Sequence, residues 1–125
     1  MPKPSPVVII DTREQAPWSF SNLRTAPGSL ATGDYSVVGL THLIAIERKS
    51  LDDLLSCVGR ERDRFRRELK RLQAYRFRCL VIETDYSALE RGEWRSKIQP
   101  ASVLGSLAGS ILVADHVGWH AQGGC

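Results

Sequence analysis

The chain contains no apolar stretch approaching the roughly 20 residues that a membrane-spanning helix needs. Its first apolar run, Val7 to Ile10, is closed by Asp11 and is too short for the core of a signal peptide. Cysteine is sparse: Cys57, Cys79 and Cys125 are odd in number, widely spaced and free of any CxxC pair. Such a pattern suggests neither a disulfide framework nor a structural zinc site. There is no internal repeat and no low-complexity tract. These absences lead to the expectation of a soluble cytoplasmic protein with no membrane partner, nucleoid-associated if bacterial. His116, His120 and Cys125 have H-x3-H spacing without a fourth ligand and are assigned to incidental positions.

What is present fits one compact domain. The 125 residues and a hydrophobic content of 42% suit a single core. The reading is a flexible tail over residues 1–6 and one domain over 7–125. The net charge is only +3, but residues 48–78 carry eleven Lys or Arg against five Asp or Glu, so that segment is +6 and the remainder −3. A basic segment without a lipid-facing stripe has two readings, a polyanion-binding surface or a solvated helix face, and nucleic acid is the favoured polyanion.

The local patterns are those of alternating strands and helices. "VVII" followed by "DTRE" reads as a buried strand that ends where charge begins. Residues 15–32, with Pro17, Pro27 and Gly28, read as a long loop. "DYSVV" and "LIAIERK", joined by "GLTH", read as an antiparallel hairpin. Strand alternation puts Leu43, Ala45, Glu47 and Lys49 on one face and Ile44, Ile46 and Arg48 on the other. Folding back the preceding strand can bring Asp34 to Glu47 and Lys49.

Ser50 to Asp53 forms a capping-box-like start for a helix over "LLSCV", with a stop at Gly59. A second helix covers "RERDRFRRELKRLQAY", where Phe65, Leu69 and Leu72 recur at helical spacing for packing and the arginines take the rest of the circumference. "RCLVIE" reads as another buried strand, and "PASVLGSLAGSILVA" as a helix with Pro100 in its first turn. The class is α/β.

Two carboxylates at a sheet edge suit a hard divalent cation, because Mg²⁺ uses few protein oxygens and completes its shell with water and substrate phosphate. Asp34 and Glu47 are the candidate ligands. Lys49 is too close to be a good co-ligand, but its charge can orient or help deprotonate a metal-bound water and offset charge on a phosphate. The implied chemistry is phosphodiester hydrolysis.

"GDY" at 33–35 followed by "ERKSLDD" at 47–53 resembles the GD…ERKxxxD signature of the XPF-type structure-specific endonuclease domain, a branch of the restriction-endonuclease-like PD-(D/E)xK superfamily. "VVIIDTRE" and "GRERDRFRRELKRL" are similar to that family's first strand and basic helix. The resemblance runs from about residue 7 to about residue 86.

It implies a three-layer core with a mixed central sheet flanked by helices, and a Mg²⁺- or Mn²⁺-dependent DNA endonuclease acting at branched or flap-type structures. In-line attack of a metal-activated water would leave a 5′-phosphate and a 3′-hydroxyl. By the resemblance, Asp34, Glu47 and the backbone carbonyl of Arg48 would hold the metal, with Lys49 as the base-like lysine. Asp11 would be an outer or second-metal ligand. Arg13 would stand near the scissile phosphate, and Glu14 would line the pocket. Asp53 would either hold Arg48, Lys49 or a water, or serve only to cap its helix.

Arg60, Arg62, Arg64, Arg66, Arg67, Lys70 and Arg71 would contact DNA phosphates. The resemblance further implies homo- or heterodimerisation through the nuclease domain. Beyond about residue 108 the sequence departs from the family pattern and reads as truncated, without a tandem helix-hairpin-helix module. A non-catalytic DNA-binding or scaffolding subunit of the same fold is the alternative; degenerate partners usually lose motif acids, and this chain keeps them.

Overall fold

The computed structural model describes residues 5–84, 86–92, 94, 111–114 and 119–122. Along the chain run β1 (Val7–Asp11), β2 (Arg24–Gly28), β3 (Tyr35–Val37), β4 (Ile44–Ser50), α1 (Leu51–Val58), α2 (Arg62–Leu72), β5 (Phe77–Glu83), α3 (Tyr86–Arg91), β6 (Ile111–Ala114) and β7 (Trp119–Gln122). Among these residues the strands form one sheet in the order β2-β1-β3-β4-β5-β6-β7. It is mixed: β1–β2, β4–β5 and β5–β6 pair in parallel, while β1–β3, β3–β4 and β6–β7 pair antiparallel. The hairpin, the two helices and the strand "RCLVIE" stand where the sequence pattern puts them.

Two segments differ from the sequence reading. The expected loop at 15–32 contains β2, a parallel edge strand on β1. Its residues, RTAPG, show no apolar alternation, and an edge position accommodates Pro27, which cannot donate in the ladder. The expected helix at 100–114 ends in strand β6, because Ile111–Ala114 extend the sheet beside β5. An apolar run of this length satisfies either a buried helix or a buried parallel strand. The rest of that segment, residues 100–110, lies outside the described residues.

Cys57 is a free, buried thiol.

The core lies between the sheet and the two basic-segment helices. Ser50 caps α1, its hydroxyl accepting from the Asp53 N–H at 3.2 Å. The helix then buries Leu54, Leu55, Cys57 and Val58 against Leu80 and Ile82 of β5 and Phe65 of α2. Each such side chain contributes about 1.5–3 kcal/mol through removal from water. In the β4–β5 register Glu47 pairs with Leu80 and Lys49 with Ile82, so both charged residues share the helix-covered face. On the opposite face, the loop after β1 lays Trp18 on Tyr35, with ring centroids 4.4 Å apart and planes 10° apart.

Candidate active site

Register alone gathers the acids. Ile10 stands opposite Tyr35, and Tyr35 opposite Ile46. One further step along each pairing sets Asp34 between Asp11 and Glu47, all on the face that the helices cover. The backbone confirms the row: Asp11 N–H donates to the Asp34 carbonyl, and Asp34 N–H to the Ile46 carbonyl, each at 2.8 Å.

The glycine of "GDY" is what permits this approach. Gly33 has φ +85°, and a Cβ built there would lie 3.0 Å from the Ile46 carbonyl oxygen.

Asp34 is anchored by the Arg48 N–H, which donates to its Oδ2 at 2.9 Å. Burial nevertheless raises the Asp34 carboxyl above the usual carboxylate range. Burial, reinforced by the charge of Asp34, pushes Glu47 up to about 7. Two half-buried carboxylates facing each other form a site with an unmet demand for positive charge. Lys49 supplies part of it from 4.0 Å. The lysine itself is buried at 8% exposure. Burial disfavours its ammonium, but the nearby Glu68 and Glu47 carboxylates outweigh that cost and raise its pKa. Lys49 is therefore a cation here.

Arg48 points the other way, as alternation requires. Its guanidinium bonds the Glu83 carboxylate and the Ala16 carbonyl, and lies 5.0 Å from the centre of the Trp18 ring. Glu14 joins it at 3.6 Å. These contacts fasten the loop after β1 to β4 and β5, and Glu14 and Arg48 also border the part of the cleft that holds Asp34, Glu47 and Lys49.

Asp11 is likewise committed: Oδ1 accepts from the Arg13 backbone and Nε at 3.0 and 2.8 Å, and Oδ2 from Leu30 N–H at 2.8 Å. Arg13 holds the Asp11 carboxyl down to about 2. This carboxylate organises the loop and aims Arg13 at the cleft.

An open cavity of about 350 Å³ lies over the row, lined by Arg13, Gly33, Asp34, Glu47, Arg64, Glu68 and Arg71 among others. Of the seven basic residues expected to meet phosphates, Arg64 and Arg71 line this cavity. With Glu68 they occupy positions i, i+4 and i+7 of α2, one stripe of the helix. Phe65, Leu69 and Leu72 form the packing stripe beside it. The Arg62 Nε donates to the Val58 carbonyl at 3.3 Å, and Arg66 sits 4.0 Å from Asp63. Arg60, Arg67 and Lys70 are exposed and do not line the cavity. Asp53 borders an adjoining part of the cleft with Glu47, Lys49 and Glu68.

Glu68 is the site residue that the motif reading missed. Its signal was present as the lone acid between Arg64 and Arg71 in a run of basic and apolar side chains.

Among the described residues no three Asp, Glu, His or Cys side chains cluster closely enough to cage a metal. Two carboxylates without a third still match Mg²⁺, which keeps much of its water and takes oxygens from a substrate. His116 and Cys125, from the histidine pattern, lie outside the described residues. No helix among the described residues is long and apolar enough to cross a membrane.

A family model described as the ERCC4 domain matches residues 10–119, past the point where the sequence motifs fade. Among solved structures, XPF from Aeropyrum pernix is similar with a TM-score of 0.67 and 20% identity. That match covers 88% of this chain and 57% of that one, so the chain spans little over half of the relative's length. The same archaeal XPF in complex with DNA is similar over 64% of this chain and 40% of that one, with a TM-score of 0.50 and 23% identity. No curated protein matches the sequence significantly. A family match across most of the chain, with the mixed sheet and the row of acids beneath a basic helix, shows that the chain belongs to the ERCC4-domain family and has the fold of an XPF-type nuclease domain.

Proposed function

We propose that the chain is a divalent-metal-dependent DNA endonuclease that cuts branched or flap-type structures. The observation that carries this reading is the facing pair Asp34 and Glu47, half-buried, under-compensated in charge, and overhung by Arg64 and Arg71. A purely structural salt-bridge patch would pair its acids. Here Asp34 accepts a backbone N–H and, among the described residues, the ion-pair contact of Glu47 is Lys49 at 4.0 Å.

Asp34 and Glu47 are the residues that would hold Mg²⁺ or Mn²⁺. In an extended strand the N–H and C=O of one residue leave on the same edge. The Arg48 N–H faces Asp34, which supports its carbonyl as a third oxygen. A bound divalent ion supplies a Lewis acid for a phosphate oxygen and lowers the pKa of water.

The chain's own groups do the rest. Arg64 and Arg71, with Arg13 across the cavity, bind and align the DNA phosphates. Lys49 places a fixed positive charge beside the acids, where negative charge builds on the phosphate, in a region sheltered enough for that charge to count. The relative solved with DNA supports nucleic acid as the polyanion.

The test is cleavage of labelled single-stranded, duplex, flap, fork and four-way DNA with Mg²⁺, Mn²⁺ or EDTA, comparing wild type with Glu47→Ala. Metal-dependent cutting that the variant lacks is expected. Undiminished cutting by the variant refutes the mechanism. Salt-sensitive binding without cutting by the wild type would favour a scaffolding subunit.

A further inference from the structure

Glu68 has no task in the mechanism above, yet it is placed as few surface-helix acids are. Its side chain is 18% exposed and Oε2 is fully shielded, in an ion pair 3.1 Å from Lys49 Nζ and without a well-aligned hydrogen bond to any donor among the described residues. Oε1 lies 3.7 Å from Arg64 Nε. A carboxylate taken out of water in this way is costly unless a cation compensates it. Lys49 is the cation that does so, and it too is buried. The pair thus links the helix that carries Arg64 and Arg71 to the strand that carries Glu47.

We infer that Glu68 is the positioning residue for Lys49, fixing the ammonium beside Asp34 and Glu47 and tying its place to the phosphate-facing stripe of α2. This inference rests on the nuclease reading for its consequence in catalysis, though not for the pairing itself.

Glu68 is not assigned as a metal ligand. The Lys49 ammonium already occupies the approach to Oε2, and a second cation brought to that oxygen would meet it at close range. Glu68 also does not combine with Asp34 and Glu47 into a three-carboxylate cage. A helix tether alone would need only volume and apolar contact, which Phe65 and Leu69 already provide on the neighbouring stripe.

The test uses the full chain and Glu68→Gln, which keeps shape and removes charge. In ¹H–¹⁵N spectra of lysine side chains, the Lys49 ammonium, identified by its loss in Lys49→Arg, is expected as a slowly exchanging signal in wild type and is lost in Glu68→Gln. With Mg²⁺ and the best DNA substrate, kcat is expected to fall about tenfold or more while KM stays within about threefold. Mn²⁺ affinity is expected to stay within about threefold of wild type.

A Lys49 signal unchanged in the variant overturns the assignment, as does a smaller loss of kcat. A Mn²⁺ affinity weakened about tenfold overturns it in favour of a ligand role. If the wild type cuts no DNA with any metal, the nuclease reading fails, and the ammonium signal still decides the pairing. Should Glu68→Gln fail to fold, Lys49→Met/Glu68→Gln, which removes both charges, is expected to fold. An unfolded double variant overturns the assignment.

Discussion

Replacing Gly33 by Ala tests whether the site depends on the close approach of two backbones. The perturbation has two parts. Gly33 sits at φ +85°, a left-handed conformation that costs an alanine roughly 1–2 kcal/mol. The new methyl would also lie 3.0, 3.2 and 3.3 Å from the carbonyl oxygen, nitrogen and carbonyl carbon of Ile46. Backbone in a central strand cannot swing aside as a side-chain tip can, so the contact adds about 1–2 kcal/mol.

The sum, about 2–4 kcal/mol, corresponds to a fall in Tm of roughly 8–15 °C for a domain of this size. Gly39 is the internal control. It has a similar φ of +83°, but a Cβ there meets nothing within 4 Å. Gly39→Ala should carry the conformational cost alone, a fall of roughly 4–8 °C. Parallel calorimetric melts of the two variants separate strain from collision. Equal shifts, or a Gly33→Ala shift below about 4 °C, would refute the close-approach argument.

Further expectations follow from the charges. Stability of the metal-free protein should depend on pH in opposite senses through two acids. Asp11, held down to about 2, contributes stability that is present above its ordinary value near 3.8 and lost as pH falls toward 2. Glu47, pushed up to about 7 from 4.5, costs stability as pH rises through that interval. Melting in EDTA should therefore decline between about pH 5 and 8 in wild type and stay flat in Glu47→Gln; a wild-type curve without the decline contradicts the desolvation argument. Asp11→Asn should destabilise the fold by about 2–4 kcal/mol, because four charge-assisted or buried bonds lose their anion, and a urea midpoint unchanged from wild type would count against it. Arg64→Ala and Arg71→Ala should each lower the salt slope of DNA binding by about 1, with smaller changes for Arg66→Ala and Arg67→Ala; equal effects at all four would argue for a diffuse basic surface instead.

The sequence already contained the strongest structural constraint, the alternation that separates Glu47 and Lys49 from Arg48. A period of two is enforced by strand geometry whatever the tertiary context. "GDY" was legible through the family resemblance, while the need for a glycine at the turn that sets Asp34 opposite Glu47 came from the structure. The family resemblance added the roles of those residues and the nature of the fold.

The edge strand Arg24–Gly28 was not legible, since a strand paired on one side needs no apolar alternation and tolerates proline. Ile111–Ala114 was read as helix because a short apolar run carries no period. The task of Glu68 was hidden for a third reason. Its partner, Lys49, lies nineteen positions earlier in the chain, on a different element, and long-range ion pairs leave no mark on local pattern. Among the arginines, the helical period would have singled out Arg64 and Arg71 only once the orientation of α2 was known.

The most direct measurement is calorimetric titration of Mn²⁺ into wild type, Asp34→Asn and Glu47→Gln near neutral pH, with each variant's fold checked by its melt. The account predicts binding to the wild type accompanied by proton release, as a cation displaces the proton that burial keeps on Glu47, and loss of that binding in either variant. Undiminished Mn²⁺ binding by both folded variants would contradict the assignment of Asp34 and Glu47 as the metal-holding pair.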